Sequence, residues 1–515
     1  MAPDSGVAES YWMDSTGSTS FPALAGDVEV DVAVVGGGIA GLCTAWELVR
    51  AGLQVAIFEA DRVASGVTGY TTAKLTAQHG LVYAHLRSSF GADAARQYAA
   101  SQQDAIAHVA EIVAELDIEC DLERLPAFTY LPPESDPGQI EAEVEAATAA
   151  GLPASLVTET GLPYRIGAAI RVEQQAQFHP RRYLLALASD LTARGGQIFE
   201  RTRIVGLDEG EPCRLTSESG ATVTAREVVV ATHYPIFDRA ALFTRLEPRR
   251  ELVVAAVIDP DDDPAGMYVT PAENTRSVRT APYGEGRRLL IVTGETFKPG
   301  TPGVADRLAT LTDWTSERFR VEAFAYHWAA QDNMTTDHVP HVGRLHPGAE
   351  HVYVATGFNA WGMSSAVMAS RLLTGLIGGD VPPWAALYDP RRVHPTVEAG
   401  NFLKANIAVA RRFVGDRIRP TTHADSPEDI APGNGAIVRI SGERCAAYRD
   451  DAGDLHTVSA TCTHLGCLVA FNEVEKTWDC PCHGSRFGTD GTVIQGPATK
   501  PLRPREPDGQ ESGRT

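Results

Sequence analysis

Two short boxes near the C-terminal end constrain this chain more than any other feature. Cys462-Thr463-His464-Leu465-Gly466-Cys467 is followed, after twelve residues, by Cys480-Pro481-Cys482-His483-Gly484-Ser485. The pattern is C-x-H-x-x-C … C-x-C-H. Each box offers a thiolate and an imidazole two or three residues apart. Two such loops facing one another can place two Cys on one iron and two His on the other, giving a [2Fe–2S] centre with mixed ligands. A structural zinc site also draws on paired Cys and His, but it leaves Gly466 and two of the Cys without a role.

The chain has 515 residues. At roughly 100–200 residues per domain, that is room for two to four domains. Of the eight Cys, Cys43, Cys120, Cys213 and Cys445 are scattered and read as buried free thiols. The other four fall between Cys462 and Cys482. The opening residues, MAPDSGVAESYW, hold no basic region followed by an apolar run. Clustered Cys without such a leader point to a metal before a disulfide scaffold, and to a cytoplasmic protein. No run of eighteen apolar residues occurs, so no membrane span is expected. The net charge of −21 argues against a nucleic-acid partner, which needs clustered Lys and Arg, and reads as solubility.

A second constraint lies near the other end. After a short Ser/Thr-rich lead-in (1–29), Val30 to Val35 reads as a buried strand. It runs into Gly36-Gly37-Gly38-Ile39-Ala40-Gly41 and a helix ending near Gly52. Gln54 to Glu59 is the next strand. The glycines make G-x-G-x-x-G between strand and helix, and Glu59 closes the following strand, as the dinucleotide fingerprint requires. Gly36 permits the tight turn, Gly38 admits a pyrophosphate, and Gly41 lets helix and strand pack. The phosphates then meet free N–H groups at the helix start. Glu59 can accept from ribose hydroxyls. The pattern by itself leaves FAD and NAD both open.

Residues 92–117 carry Ile106, Val109, Val113 and Leu116 at helical spacing. Arg182 to Arg194 reads as a helix stopped by Gly195-Gly196. Strands are predicted at 227–231, 252–257, 289–292 and 351–355, and a helix at 364–377. Strands mixed with helices indicate an α/β core with an inserted, more antiparallel region. Residues 386–432 read as a helical linker. Within it, 396–418 is basic and amphipathic (Phe402, Ile407, Val409, Phe413, Lys404, Arg411), and is expected to dock on its own protein. Short strands and turns take over from about Gly433.

The chain resembles two known families. Asp31–Gly41 with Phe58-Glu59-Ala60, Val229–His233, Trp328–Gly343 and Val354–Phe358 with Trp361-Gly362-Met363 resemble, in order, the flavin-dependent amine and amino-acid oxidoreductases typified by D-amino acid oxidase, glycine oxidase and sarcosine oxidase. The resemblance implies FAD held by segments near 30–90, 170–240 and 325–385, with a substrate domain near 91–169 and 241–324. It adds Ile39, Ala40, Ala60, Thr71, Thr72, Gly357, Gly362 and Met363 to the cofactor-binding residues. A helix starting near Met363 would point N–H groups at the flavin N1/C2=O edge. Ala73 stands where some relatives carry a flavin-linked residue, so the FAD is expected to be non-covalent. Lys74 is expected near flavin N5 or against a substrate carboxylate, and His338 and His341 in the active-site wall. Arg249, Arg250 and Arg288 are candidates for a carboxylate. His79 is a weaker candidate.

Residues 433–510 resemble the Rieske domains of cytochrome bc complexes, including the later Gly496-Pro497-Ala498. The resemblance implies Cys462, His464, Cys480 and His483 as ligands, a Cys467–Cys482 disulfide, and a hydrogen bond from Ser485 to the cluster. High-potential members have Tyr where this chain has Phe487, which implies a lower potential. A mononuclear iron on Asp337, His338 and His341 is the rival, but that run already belongs to the flavin-family resemblance.

The predicted fold is therefore an α/β FAD-binding, Rossmann-like domain with an inserted α+β substrate domain, followed by a small all-β domain. The expected activity is dehydrogenation of a small amine or amino acid, with electrons leaving through the cluster to an external one-electron carrier. A redox-sensing or docking role for the C-terminal module, or an oxidase using O2, are the alternatives. Oligomeric state is not legible.

Overall fold

The apolar run before the glycines becomes the middle of a parallel sheet. In the computed structural model, Val28–Val35 pairs in parallel with Thr222–Val230 on one side and Val55–Phe58 on the other. Val352–Thr356 and Gln197–Phe199 extend the sheet in parallel, and His341–Arg344 adds an antiparallel edge. Alternation sends Val32 and Val34 into one core, and Ala33 and Val35 into another. A strand covered on both faces must be apolar throughout, which is why it reads as an unbroken run. Helices Ile39–Arg50 and Gly362–Gly378 pack together on one face. The structure describes residues 6–395 and 423–505, except 238, 240 and 241, with scattered positions between. Most of the 396–418 stretch therefore lies outside the described residues.

A second, nine-stranded sheet forms the inserted domain. Its order is Ala323–Thr335, Leu246–Ile258, Arg287–Phe297, Ser277–Tyr283, Met267–Val269, Glu123–Leu131, Ala168–Gln177, Lys74–Leu75, with Ala154–Val157 beside Ala168–Gln177. Residues 170–177 and 325–335, expected in the FAD segments, pair in this sheet instead. Strand periodicity specifies faces but not partners, so this assignment has no local signal.

The lead-in also differs from expectation. Tyr11–Asp14 is a helical turn capped by Ser10, and Trp12 is fully buried. The indole of Trp12 donates to Thr71 O at 2.6 Å, and Tyr11 Oη donates to Pro282 O at 2.9 Å. Two large aromatic surfaces gain enough from burial to order a short polar segment.

The C-terminal unit has a three-stranded antiparallel sheet (Asn434–Ile440, Glu443–Arg449, Leu455–Ser459) and a four-stranded one (Ala470–Asn472, Thr477–Asp479, Arg486–Phe487, Val493–Gln495). Its core gathers Phe471, Trp478 and Phe487 around the buried Cys side chains. No described helix is long and apolar enough to cross a membrane.

Candidate functional site

The glycine turn is built as a phosphate cradle. Gly36 has φ +107°, and a Cβ there would lie 2.5 Å from Ala231 O. A Cβ at Gly41 would lie 1.9 Å from Gly36 O. Neither approach is open to another residue. The helix begins at Gly38 without a capping side chain there; Thr68 Oγ1 accepts from Ile39 N at 3.1 Å. The remaining first-turn donors suit an anion. Glu59 accepts from Gly37 N at 2.6 Å and Asp61 N at 2.9 Å. Burial raises its pKa, and these two amide bonds oppose that shift.

From this turn a cavity of ≈ 1190 Å³ runs between the two large sheets. A small-molecule pocket is typically about 300–1,000 Å³, so this one has room for a dinucleotide and a substrate. Gly36, Gly38, Ile39, Ala40, Glu59, Ala60, Thr71, Thr72, Gly362 and Met363 all line it, as do Lys74 and His338. Gly41 and Gly357 do not. Gly41 serves the turn, and Gly357 (φ +70°) sits against Thr335. The helix Gly362–Gly378 starts at Trp361 with no side-chain cap, leaving its donors to the cavity.

Lys74 donates to Thr72 Oγ1 at 3.0 Å. Burial, with Arg279 nearby, lowers its pKa to about 7. Arg279 in turn donates to Ala73 O at 2.7 Å and Thr72 O at 3.2 Å, fixing this loop. Glu251 lines the same region and is raised by burial, with Arg249 and Lys74 opposing. Ser277 and Thr293 face each other across two strands. Both hydroxyls line the cavity, are buried, and have no hydrogen-bond partner among the described residues. Sequence reading missed them, because two hydroxyls in antiparallel strands give no local signal.

Of the other candidates, Arg288 does not line the cavity, whereas Arg249, Arg250 and His79 do, each held by partners of its own. Arg288 is held by Glu123 at 2.7 Å and Asp263 at 2.8 Å. Arg250 is fully buried against Glu475 at 2.6 Å and Asp479 at 3.2 Å in the C-terminal unit. His79 stacks on Trp361 with centroids 4.8 Å apart and is bonded to Tyr98 and Thr76, so burial keeps it neutral, with a pKa lowered to about 3. Asp337 is gripped by Arg392 at 2.7 and 2.9 Å. His338 instead reaches the cavity and packs on His85. The Asp337 carboxylate is thus committed to Arg392, while the adjacent His338 turns into the cavity.

The two boxes of the C-terminal unit meet as loops. Cys467 and Cys482 are disulfide-bonded in the structure, while Cys462 and Cys480 are buried free thiols. The imidazoles of His464 and His483 stand edge to face at 5.0 Å. The Cys462 and Cys480 thiols hydrogen-bond each other, which lowers the pKa of Cys462 and raises that of Cys480. Backbone amides of His464 and Leu465 point at the Cys462 sulfur, and those of Cys482 and His483 at Cys480. The Ser485 hydroxyl bonds Cys462 and accepts from Ala498 N at 3.0 Å. His483 Nδ1 is buried with no hydrogen-bond partner among the described residues. Two thiols, two imidazoles and amide donors aimed at sulfur fit a [2Fe–2S] cluster. Phe487, packed in the core, adds no hydroxyl.

This loop pair rests against the large domains. The His483 ring packs edge-on to Tyr234 and Phe243, with centroids at 6.2 and 5.6 Å. Gln331 Nε2 donates to Gly484 O at 3.0 Å, and Arg203 to Val493 O at 3.0 Å. His233, next to Tyr234, lines the cavity and lies 3.4 Å from Gln495 Nε2.

Comparison with known proteins agrees with both halves. The profile of the FAD dependent oxidoreductase family matches residues 31–376, and that of the Rieske [2Fe-2S] domain matches residues 422–505. A Bacillus subtilis protein named as a putative Rieske 2Fe-2S iron-sulfur protein, YhfW, is 36% identical over 497 residues, covering 96% of this chain and 97% of that protein. The gamma-glutamylputrescine oxidoreductase of Escherichia coli is 23% identical over 386 residues, covering 70% and 86%. Among solved structures, glycine oxidase from Geobacillus kaustophilus superposes with a TM-score of 0.57 at 20% identity, over 71% of this chain and 99% of that one.

Proposed function

Since the chain belongs to the FAD-dependent oxidoreductase family and carries a Rieske [2Fe–2S] domain behind the flavin domain, we propose that it is a dehydrogenase of a small amine or amino acid that delivers electrons to an external one-electron carrier. The observation that carries this reading is the packing of His483 on Tyr234, whose neighbour His233 lines the cavity for the cofactor. Such contact brings a cluster ligand to the flavin cavity within one chain. FAD supplies a two-electron acceptor for a C–N or C–H bond, and the cluster a one-electron store.

The residues then divide the work. Gly36, Gly38, Ile39, Ala40 and the start of the Gly362 helix hold the dinucleotide, and Glu59 its ribose. Cys462, His464, Cys480 and His483 hold the iron. Lys74, largely uncharged above about pH 7, accepts at Nζ the proton that a substrate ammonium must lose before oxidation. The Ser277 and Thr293 hydroxyls bind a polar group of the substrate, ending their lack of partners. His338 and His85 close the wall and exclude water.

Anaerobic mixing of the holoprotein with a panel of amines and amino acids tests this. The flavin absorbance should bleach first and the cluster absorbance afterwards. Absence of bleaching across the panel counts against a dehydrogenase and for a sensing module. Flavin bleaching that never reaches the cluster, with peroxide formed in air, favours an oxidase.

A further inference from the structure

The cavity wall is not drawn from the FAD-family residues alone. Val493, Ile494, Gln495, Gly496, Ala498 and Thr499, all from the C-terminal domain, line it as well. They reach it at a definable place. Glu59 begins the loop that accepts the ribose, and the backbone of 201–202 is bonded to it: Thr202 N donates to Glu59 O at 2.8 Å, and Arg201 N to Asp61 O at 2.9 Å. The next residue, Arg203, donates to Val493 O at 3.0 Å. Gly496 comes against Ile236, another cavity residue. One side chain here stands out: Ile494 lines the cavity yet is 52% exposed, between the half-buried Val493 and Gln495.

We propose that the strand Val493–Gln495 is part of the FAD site, and that Ile494 covers the adenosine half of the cofactor where the flavin domain leaves it open. An apolar side chain set over the wall beside Glu59 suits the face of an adenine ring. Arg203 and Gln495 fix the strand from either side, the first through the Val493 carbonyl and the second through His233. FAD then rests between two domains, and leaves only when the C-terminal domain moves away. Retention of the flavin becomes a property of domain docking as well as of the glycine cradle. The cluster domain thus serves a binding role separate from electron transfer.

The test uses full-length protein with its cluster in place. Release of FAD is followed by the rise of free-flavin fluorescence after dilution, and cluster content by EPR of the reduced protein. Ile494→Asp should speed FAD release by about tenfold, the scale set by covering half of an isoleucine side chain and placing a carboxylate near the phosphates, with the cluster signal unchanged. Ile494→Val should stay within about twofold of wild type. Release from Ile494→Asp at the wild-type rate, with the cluster intact, overturns the proposal. Hydrogen exchange decides the matter without any variant: FAD added to flavin-free, cluster-loaded wild type should protect amides in both 36–41 and 493–499. Protection confined to 36–41 also overturns it.

Discussion

Arg250→Met should loosen the C-terminal domain from the rest of the chain. The Arg250 side chain is 0% exposed and lies 2.6 Å from Glu475 Oε2 and 3.2 Å from Asp479 Oδ2. Removing one partner of a buried ion pair costs about 3–5 kcal/mol, because the other charge stays desolvated. Arg486 still lies 3.2 Å from Asp479 and 2.9 Å from Glu475, so the lower figure applies. A loss of about 3 kcal/mol is roughly 150-fold in the equilibrium that docks and folds this domain. Urea unfolding followed separately by visible circular dichroism of the cluster and by flavin fluorescence reads the effect. The cluster transition should move to lower urea. A matched control is Arg287→Met, whose ion pairs with Asp259 and Glu322 are about 40% exposed and worth at most about 1 kcal/mol. An Arg250→Met transition displaced no further than that of Arg287→Met refutes the reasoning.

The same network sets a pH dependence. Burial raises the pKa of Asp479, but Arg486 and Arg250 outweigh this and leave it lowered. A depressed carboxylate contributes stability above its unfolded pKa of about 4, and that contribution is lost as pH falls through the folded value. Domain docking should therefore weaken in acid, below about pH 4.

Three further outcomes are expected. Lys74→Met should slow flavin bleaching by substrate roughly 100-fold or more and flatten its rise through about pH 7, as read by anaerobic stopped flow. Ser485→Ala, which removes the hydroxyl on Cys462, should lower the cluster potential by roughly 60 mV, a decade of equilibrium for one electron, as measured by protein-film voltammetry. Gly41→Ala, with its Cβ 1.9 Å from Gly36 O, should lose bound FAD and about 3 kcal/mol of stability, while EPR still reports a full cluster.

Much of this protein is written in short-range patterns. The buried strand before Gly36, the glycine turn, the acidic residue at 59 and both Cys/His boxes each state their chemistry within a few residues, because turns, helix starts and ligand loops are local constraints. The helices near 92–117, 182–194 and 364–377 were legible, the first from its periodicity and the second with its glycine stop, and the structure has them at Ala92–Glu115, Pro180–Ala193 and Gly362–Gly378. Partnership was decided elsewhere. Arg250 and Arg288 read as equals of Arg249, yet one bridges to the C-terminal domain and the other is spent on Glu123 and Asp263.

The same holds for Asp337 and His338, adjacent in the chain. One turns to Arg392 and the other to the cavity. Ser277 and Thr293 came to face each other only when their strands paired, and Trp12 gained its hydrogen bond to Thr71, fifty-nine positions away. The two boxes at the C-terminal end specified a cluster by themselves. Only the tertiary structure set that cluster's His483 against Tyr234 and brought Ile494 to the flavin cavity. Docking depends on the shape and charge of surfaces assembled from distant segments, and no local spacing encodes those.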